Sequence, residues 1–243
     1  MSMQVISWED YIGTGDQGSG IRDFCSNNSN TSEVYLDSSN STPLSLVPDP
    51  RSPSLAVTVG VFDGVHIGHQ ALIQRICVPD SSLLSSPRSP IPDPRSPLSV
   101  VVTFRQNPLK VLHPDSYTGD ICTLEEKLHM FEDLGVQLTV LIDFSRNFSK
   151  ISGREFINLL LGSRPVKLIA IGRDFRCGHH LDIGAGEIQK LARERGIEAW
   201  VAEPVMDSGQ PVSSSRIRQA LAAGQTAEAE RLLGRNNNVP NRR

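Results

Sequence analysis

Residues 55–73, LAVTVGVFDGVHIGHQALI, hold the side chains best spaced to do chemistry. His66 and His69 stand three apart with Gly68 between them, at the head of a helix-compatible run. Side chains at that spacing share one face of a first helical turn and can reach the same ligand. A helix start offers unpaired N–H groups and the positive end of a dipole, both of which attract anions. Imidazole donates a hydrogen bond when neutral and adds charge when protonated, which suits a centre where negative charge builds up. Gly68 has no Cβ, so phosphate oxygens could approach the backbone there. Half a metal site, or two polar residues at an exposed helix end, would give the same string.

A second constellation is Val212-Ser213-Ser214-Ser215-Arg216-Ile217-Arg218. Serines before a helical run are ordinary N-caps, and the arginines fit a plain charged surface. The same hydroxyls and free N–H groups, with Arg218 three residues past Ser215, could grip a polyphosphate. Facing His66 and His69, they would form the second jaw of a triphosphate site. A third segment, Gly172-Arg173-Asp174-Phe175-Arg176-Cys177-Gly178, is a glycine-bounded loop with one acid, and a structural turn explains it equally well. The adjacent His179 and His180 are expected to diverge and are not read as a metal pair.

The elements that must position these residues follow from the hydrophobic pattern. Residues 55–61 read as a buried strand, and Phe62-Asp63-Gly64 as a tight turn with positive φ at the glycine. Further strands are expected at 100–104, 138–142, 167–171 and 198–202, and helices at 124–134, 154–161, 187–195, 216–223 and 227–233. Thr123…Glu126 and Ser152…Glu155 are capping boxes. Strands alternating with helices imply an α/β fold, a mostly parallel sheet covered on both faces, with ligands beyond the carboxyl ends of the strands. Residues 3–12 read as a short strand and turn. Residues 13–53 are rich in Ser, Asn, Gly, Asp and Pro and read as a flexible low-complexity segment. Pro48-Asp49-Pro50-Arg51-Ser52-Pro53 recurs at 92–97, and both copies read as extended linkers.

The whole composition narrows the class. A chain of 243 residues can bury a full core, and a net charge of −3 gives no reason to expect nucleic acid or a membrane surface. No apolar run approaches the ~20 residues of a spanning helix. The start shows no secretory pattern, and the four cysteines are too scattered for a disulfide framework or structural zinc. A soluble cytoplasmic protein is the expectation.

Gly60-Val61-Phe62-Asp63-Gly64-Val65-His66-Ile67-Gly68-His69 resembles the G-x-F-D-G-V-H-x-G-H signature of bacterial FAD synthetases, within the H-x-G-H nucleotidylyltransferases. In most bacteria that module adenylylates FMN as part of a bifunctional riboflavin kinase/FMN adenylyltransferase. The serine-arginine segment is similar to the family's I-S-S-T-x-x-R, with Ser215 in place of Thr. Gly172–Gly178 is similar to its G-x-[DN]-F-x-F-G, with Cys177 in place of Phe. Thr103-Phe104-Arg105-Gln106-Asn107-Pro108 resembles T-F-x-P-H-P, with Gln106 and Asn107 departing from it, and Leu232-Leu233-Gly234-Arg235 is similar to the closing L-L-G-R.

The resemblance implies a Rossmann-like nucleotidylyltransferase fold over 55–235, with a Pro/Ser-rich insertion at 78–97, a short N-terminal element plus flexible segment at 1–54 and a polar tail at 236–243. It implies ATP and FMN as substrates, FAD and pyrophosphate as products, and Mg²⁺ carried by the nucleotide without protein ligands of its own. His66, His69 and Arg218 would be catalytic. Gly60, Phe62, Gly64, Asp174, Ser213, Ser214 and Ser215 would join them in binding ATP, and Phe104, Asn107 and Pro108 would bind flavin. Asp63 would be an outer-sphere metal ligand or a brace of its turn. The sequence ends eight residues after Leu-Leu-Gly-Arg, so a monofunctional enzyme without the kinase is expected. Transfer to another phosphorylated acceptor, or flavin and nucleotide binding without turnover, are the competing readings.

Overall fold

The computed structural model describes residues 2–13, 53–78 and 96–235. The low-complexity segment, both proline repeats and the polar tail fall almost wholly outside the described residues. In chain order the elements are β1 (Gln4–Ser7), α1 (Trp8–Ile12), β2 (Leu55–Val59), α2 (Ile67–Cys77), β3 (Leu98–Phe104), α3 (Pro108–Leu112), α4 (Leu124–Asp133) and β4 (Leu138–Ile142). There follow α5 (Gly153–Gly162), β5 (Val166–Gly172), β6 (Arg176–Cys177), β7 (Ile183–Gly184), α6 (Ala185–Arg193), β8 (Glu198–Ala202), β9 (Met206–Asp207), β10 (Gln210–Pro211), α7 (Ser214–Ala222) and α8 (Thr226–Leu233).

Six strands form one sheet in the order β1-β4-β3-β2-β5-β8, every neighbouring pair parallel. Side chains alternate between its faces, as strand geometry requires. Leu55, Val57, Val59, Val100 and Val102 pack with Trp8, Phe156, Leu160 and Ile188, so α1, α5 and α6 cover that side. Ala56, Val101 and Ala170 face the other way, against Leu72, Ile73 and Ile76 of α2 and Phe131 of α4. This is the doubly covered parallel sheet expected from the sequence. A third cluster, with Ile217, Ala220, Ala229, Leu232 and Leu233, joins α7 to α8.

Three expectations change. Residues 8–12 are helix rather than turn, because Ser7 caps them by accepting the Asp10 N–H (3.1 Å) and Glu9 and Asp10 lie in the first turn. Strand β2 stops at Val59 rather than 61, since the chain turns sharply with Phe62 at φ 51°. Helix α3 was not anticipated; Asn107 caps it and Pro108 opens it. Among the described residues no helix is long and apolar enough to cross a membrane, and Cys77, Cys122 and Cys177 are free.

The sheet order sets the location of the chemistry. From β2 the chain moves one way to β3 and β4, then returns past β2 to β5 and β8. The carboxyl ends of β2 and β5 therefore straddle a topological switch point, where open α/β sheets bind ligands. The His66 turn leaves one of those ends and the Asp174 loop leaves the other.

Candidate functional site

The turn after β2 is unusual backbone. Gly64 has φ +78°, as expected, but Phe62 (φ 51°) and Val65 (φ 40°) also lie in the left-handed region. Such a conformation is costly for a β-branched residue and persists only when its surroundings enforce it. Here side chains grip the turn from all sides. Val61 O accepts from Thr103 Oγ1 (3.1 Å) and Lys127 Nζ (3.3 Å). Asp63 O accepts from Ser214 Oγ (3.0 Å), Gly64 O from Arg235 Nη2 (2.7 Å), and Val65 O from Gln70 Nε2 (2.9 Å). A Cβ on Gly64 would lie 2.8 Å from Ile121, so that position has no room for a side chain.

His66 is the N-cap of α2: its Nδ1 accepts the His69 N–H at 3.3 Å. A ring nitrogen that accepts carries no proton, so the proton of neutral His66 sits on Nε2. The two imidazoles stack with centroids 3.5 Å apart and planes 18° from parallel, and His69 meets the Phe62 ring edge-on. Burial pushes His66 down to about 4, with the Arg235 charge acting in the same direction. Burial also holds His69 well below the ordinary histidine value, helped by His66 and Lys127. His69 Nδ1 is buried and finds no partner among the described residues. Both shifts favour the neutral rings, so of the two roles that imidazole offers this site the neutral donor is the one the burial supports. At Gly68 a Cβ would sit 3.2 Å from Cε1 and Nδ1 of His66, so its absence also makes room for the ring.

The serine-arginine jaw meets the histidine turn through Asp63. Ser214 Oγ donates to the Asp63 carbonyl, and the Arg218 guanidinium pairs with the Asp63 carboxylate while its Nε reaches Gly119 O at 3.0 Å. Asp63 Oδ1 accepts the Ile121 N–H (2.8 Å), so both carboxylate oxygens are engaged and Asp63 braces the turn. Burial raises its pKa, and Arg218 opposes that shift. Ser213 caps α7 by accepting the Arg216 N–H (3.3 Å), and Ser215, two residues on in the first turn of α7, is exposed. Arg216 is structural: it pairs with Asp207 and Glu228 (2.7 Å each), tying α7 to β9 and α8.

Asp174 is exposed beyond β5, in an open cleft of about 960 Å³ lined also by Arg173, Phe175, Arg176, Trp200 and Glu203. Phe104 ends β3 and meets Phe144 edge-on (5.6 Å). Asn107 is buried, with Oδ1 accepting the Leu109 N–H (3.1 Å) and Nδ2 donating to Asp120 (3.2 Å), so its amide organises the segment that precedes Pro108. Gly60 lies under the Phe62 ring, where a Cβ would be 3.2 Å from it. His179 and His180 do not diverge; their rings lie 3.9 Å apart because His180 adopts φ 56°. Among the described residues no group of three His, Cys, Asp or Glu is arranged to hold a metal ion.

Lys127 went unnoticed in the sequence. Its Nζ donates to Val61 O, Thr103 Oγ1 and Phe104 O (3.3, 3.3 and 3.1 Å), stitching the ends of β2 and β3 together, and burial lowers its pKa. A signal was available, since helical spacing places Lys127 between Leu124 and Phe131 on the core face of α4.

Residues 49–216 match the FAD synthetase family. The chain is 33% identical over 179 residues to a bifunctional riboflavin kinase/FMN adenylyltransferase of Escherichia coli (strain K12), covering 73% of this chain and 53% of that protein. It is 28% identical over 198 residues to the protein of the same description from Bacillus subtilis (strain 168), covering 79% and 57%. The chain therefore spans about half the length of the curated relatives it matches. Among solved structures, one described as a macrolide-efflux protein from Streptococcus pneumoniae superposes with TM-score 0.61 at 31% identity, covering 76% of this chain and 58% of that one.

Proposed function

The chain belongs to the FAD synthetase family, and on that premise we propose that it transfers the adenylyl group of ATP to FMN, giving FAD and pyrophosphate. An FMN phosphate oxygen attacks the α-phosphorus of ATP in line. A new P–O bond forms as the bond from the α-phosphorus to the bridging oxygen breaks, and pyrophosphate leaves with that oxygen. No covalent enzyme intermediate is needed, so the protein supplies position and charge stabilisation. The observation that carries this reading is the direct junction of the two jaws at Asp63: Ser214 on its carbonyl, Arg218 on its carboxylate.

In this reading the neutral His66 and His69 donate to the oxygens of the α-phosphate as charge develops there. The N-terminus of α7, with Ser213 and Ser215, receives the β- and γ-phosphates. Ser214 positions the turn through Asp63 O, and Arg218 fixes the Asp63 carboxylate beside the departing pyrophosphate. Asp174 borders the nucleotide from the β5 side of the switch point. Phe104 and Pro108 border the flavin, and Asn107 shapes that segment by its cap. Mg²⁺ fits this donor set as an ion carried by phosphate oxygens and water, because Asp63 and Asp120 are already engaged by Arg218, Ile121 and Asn107. Bound there, it would neutralise charge on the phosphates.

The test is incubation of the protein with ATP, Mg²⁺ and FMN, with FAD and pyrophosphate quantified together. Equal amounts of both are expected. Flavin binding without pyrophosphate release would favour a carrier. Pyrophosphate release with a different phosphorylated acceptor, from a panel that includes FMN, would move the assignment within the nucleotidyltransferases.

A further inference from the structure

The carboxyl end of α8 is built onto the start of α2. Leu233 O accepts from Gln70 Nε2 at 2.9 Å, and the same amide nitrogen holds Val65 O. Gly234 ends the helix in the left-handed conformation (φ 69°), where a Cβ would collide with Ile67. That tight approach delivers Arg235 to the turn, and its guanidinium spans two successive carbonyls, Nη2 to Gly64 O (2.7 Å) and Nη1 to Val65 O (3.3 Å).

These carbonyls flank the most strained residue of the site. Val65 has φ 40°, and the next residue, His66, must present Nδ1 to the His69 N–H at the start of α2. A planar guanidinium fits two adjacent acceptors as a rigid fork, which a single ammonium does not. Two carbonyls whose dipoles point at one cation are also discouraged from flipping, so the fork opposes the relaxation that strain would otherwise drive.

We propose that Arg235 is a positioning residue for adenylyl transfer, its fork on Gly64 O and Val65 O fixing the peptide from which His66 enters α2. The proposal rests on the adenylyltransferase reading for its kinetic consequence and on geometry alone for its structural one. Arg235 closes the segment similar to the family's L-L-G-R, a likeness that gives it no role, and it lies nineteen residues beyond the matched stretch.

The experiment compares wild type with Arg235→Ala and Arg235→Lys, measuring steady-state kinetics and amide hydrogen exchange. Arg235→Ala is expected to lower kcat by about 10- to 100-fold, the scale of an ångström-sized misplacement. KM for FMN should change little, and exchange should quicken at residues 62–69 while β4 stays protected. Millimolar guanidinium should restore part of the lost rate in Arg235→Ala, and Arg235→Lys should fall between the two. Wild-type kcat with unchanged exchange at 62–69 would overturn the proposal. So would a rate loss that merely tracks the unfolded fraction and does not respond to guanidinium. If the wild-type protein makes no FAD, local exchange still decides the positioning role, and the two failures stay distinct.

Discussion

Stacked imidazoles 3.5 Å apart cannot both be charged at low cost, and burial already disfavours the cation. A rate that depends on their neutral donors should be flat between about pH 6 and 8, because neither ring titrates there. A limb centred near the ordinary histidine value, about 6.5, would contradict that assignment. His66→Ala or His69→Ala should lower kcat by roughly 10²–10³, as loss of a donor to developing charge does elsewhere. Burial has a stability consequence of defined sign. The unfolded chain protonates His66 near 6.5 and the folded one only at about 4, so between those values the unfolded state holds the extra proton. Stability is therefore full above the unfolded value and declines as pH falls towards the folded one, by about 3 kcal/mol for this residue. Urea midpoints at several pH values should show a shallower decline in His66→Asn, which keeps a capping acceptor and does not titrate. Gly68→Ala separates fold from function differently. Alanine is the better helix former by up to ~1 kcal/mol, yet its Cβ would press on the His66 ring. Its melting temperature should hold or rise while kcat falls.

Helix caps were the most legible feature between residue and fold. At Thr123 the capping box is complete: its hydroxyl accepts the Glu126 N–H (3.2 Å) and Glu126 Oε2 accepts its N–H (2.7 Å). At Ser152 the hydroxyl accepts the Glu155 N–H (3.2 Å), the serine half of the motif. All three bonds join residues three apart, so sequence spacing alone could find them. Asn107 and Ser7 cap just as locally, but their helices have only five residues each and show too little periodicity to stand out. Lys127, Arg235 and Gln70 were harder to find, because their partners lie across the fold and only tertiary structure brings donor and carbonyl together. Caps that look alike should also differ in consequence. Thr123→Ala should cost ~1 kcal/mol and leave turnover near wild type, because α4 remains packed through Phe131. Ser213→Ala should cost a similar ~1 kcal/mol and in addition raise KM for ATP, since its hydroxyl stands at the mouth of α7. Denaturation curves and steady-state kinetics on the two variants distinguish structural capping from substrate capping.

For the molecule as a whole, alternation of strand and helix made the parallel sheet legible, but strand order was not. Nothing in residues 4–12 states that β1 will add to β4, at the far end from β8. That placement comes from long-range packing. Trp8 stacks on Tyr11 and Phe156 and meets Phe148 edge-on, Tyr11 donates to Leu160 O (3.0 Å), and Arg164 donates to the carbonyls of Asp10 and Tyr11 (2.9 Å each). The N-terminal element thus closes the face of the sheet that α5 and α6 also cover. It lies three strand spacings from β2, about 14 Å from the strand whose turn carries His66. Stability and catalysis should therefore separate at this edge. Trp8→Ala removes a side chain that is 4% exposed and should cost ~3–5 kcal/mol through lost burial and the cavity left behind. The strands β2 and β5 share a core cluster with Trp8, but the turn at their carboxyl ends is held from elsewhere, by Lys127 of α4, Ser214 and Arg218 of α7, and Arg235 after α8. The fraction that remains folded should then make FAD with unchanged KM for ATP and unchanged kcat per folded molecule. Activity measured at low temperature against the folded fraction from circular dichroism checks this. A rise in KM at full folding would mean that strain crosses the sheet from β1 to β2, and the site would have to be regarded as coupled to the N-terminal element.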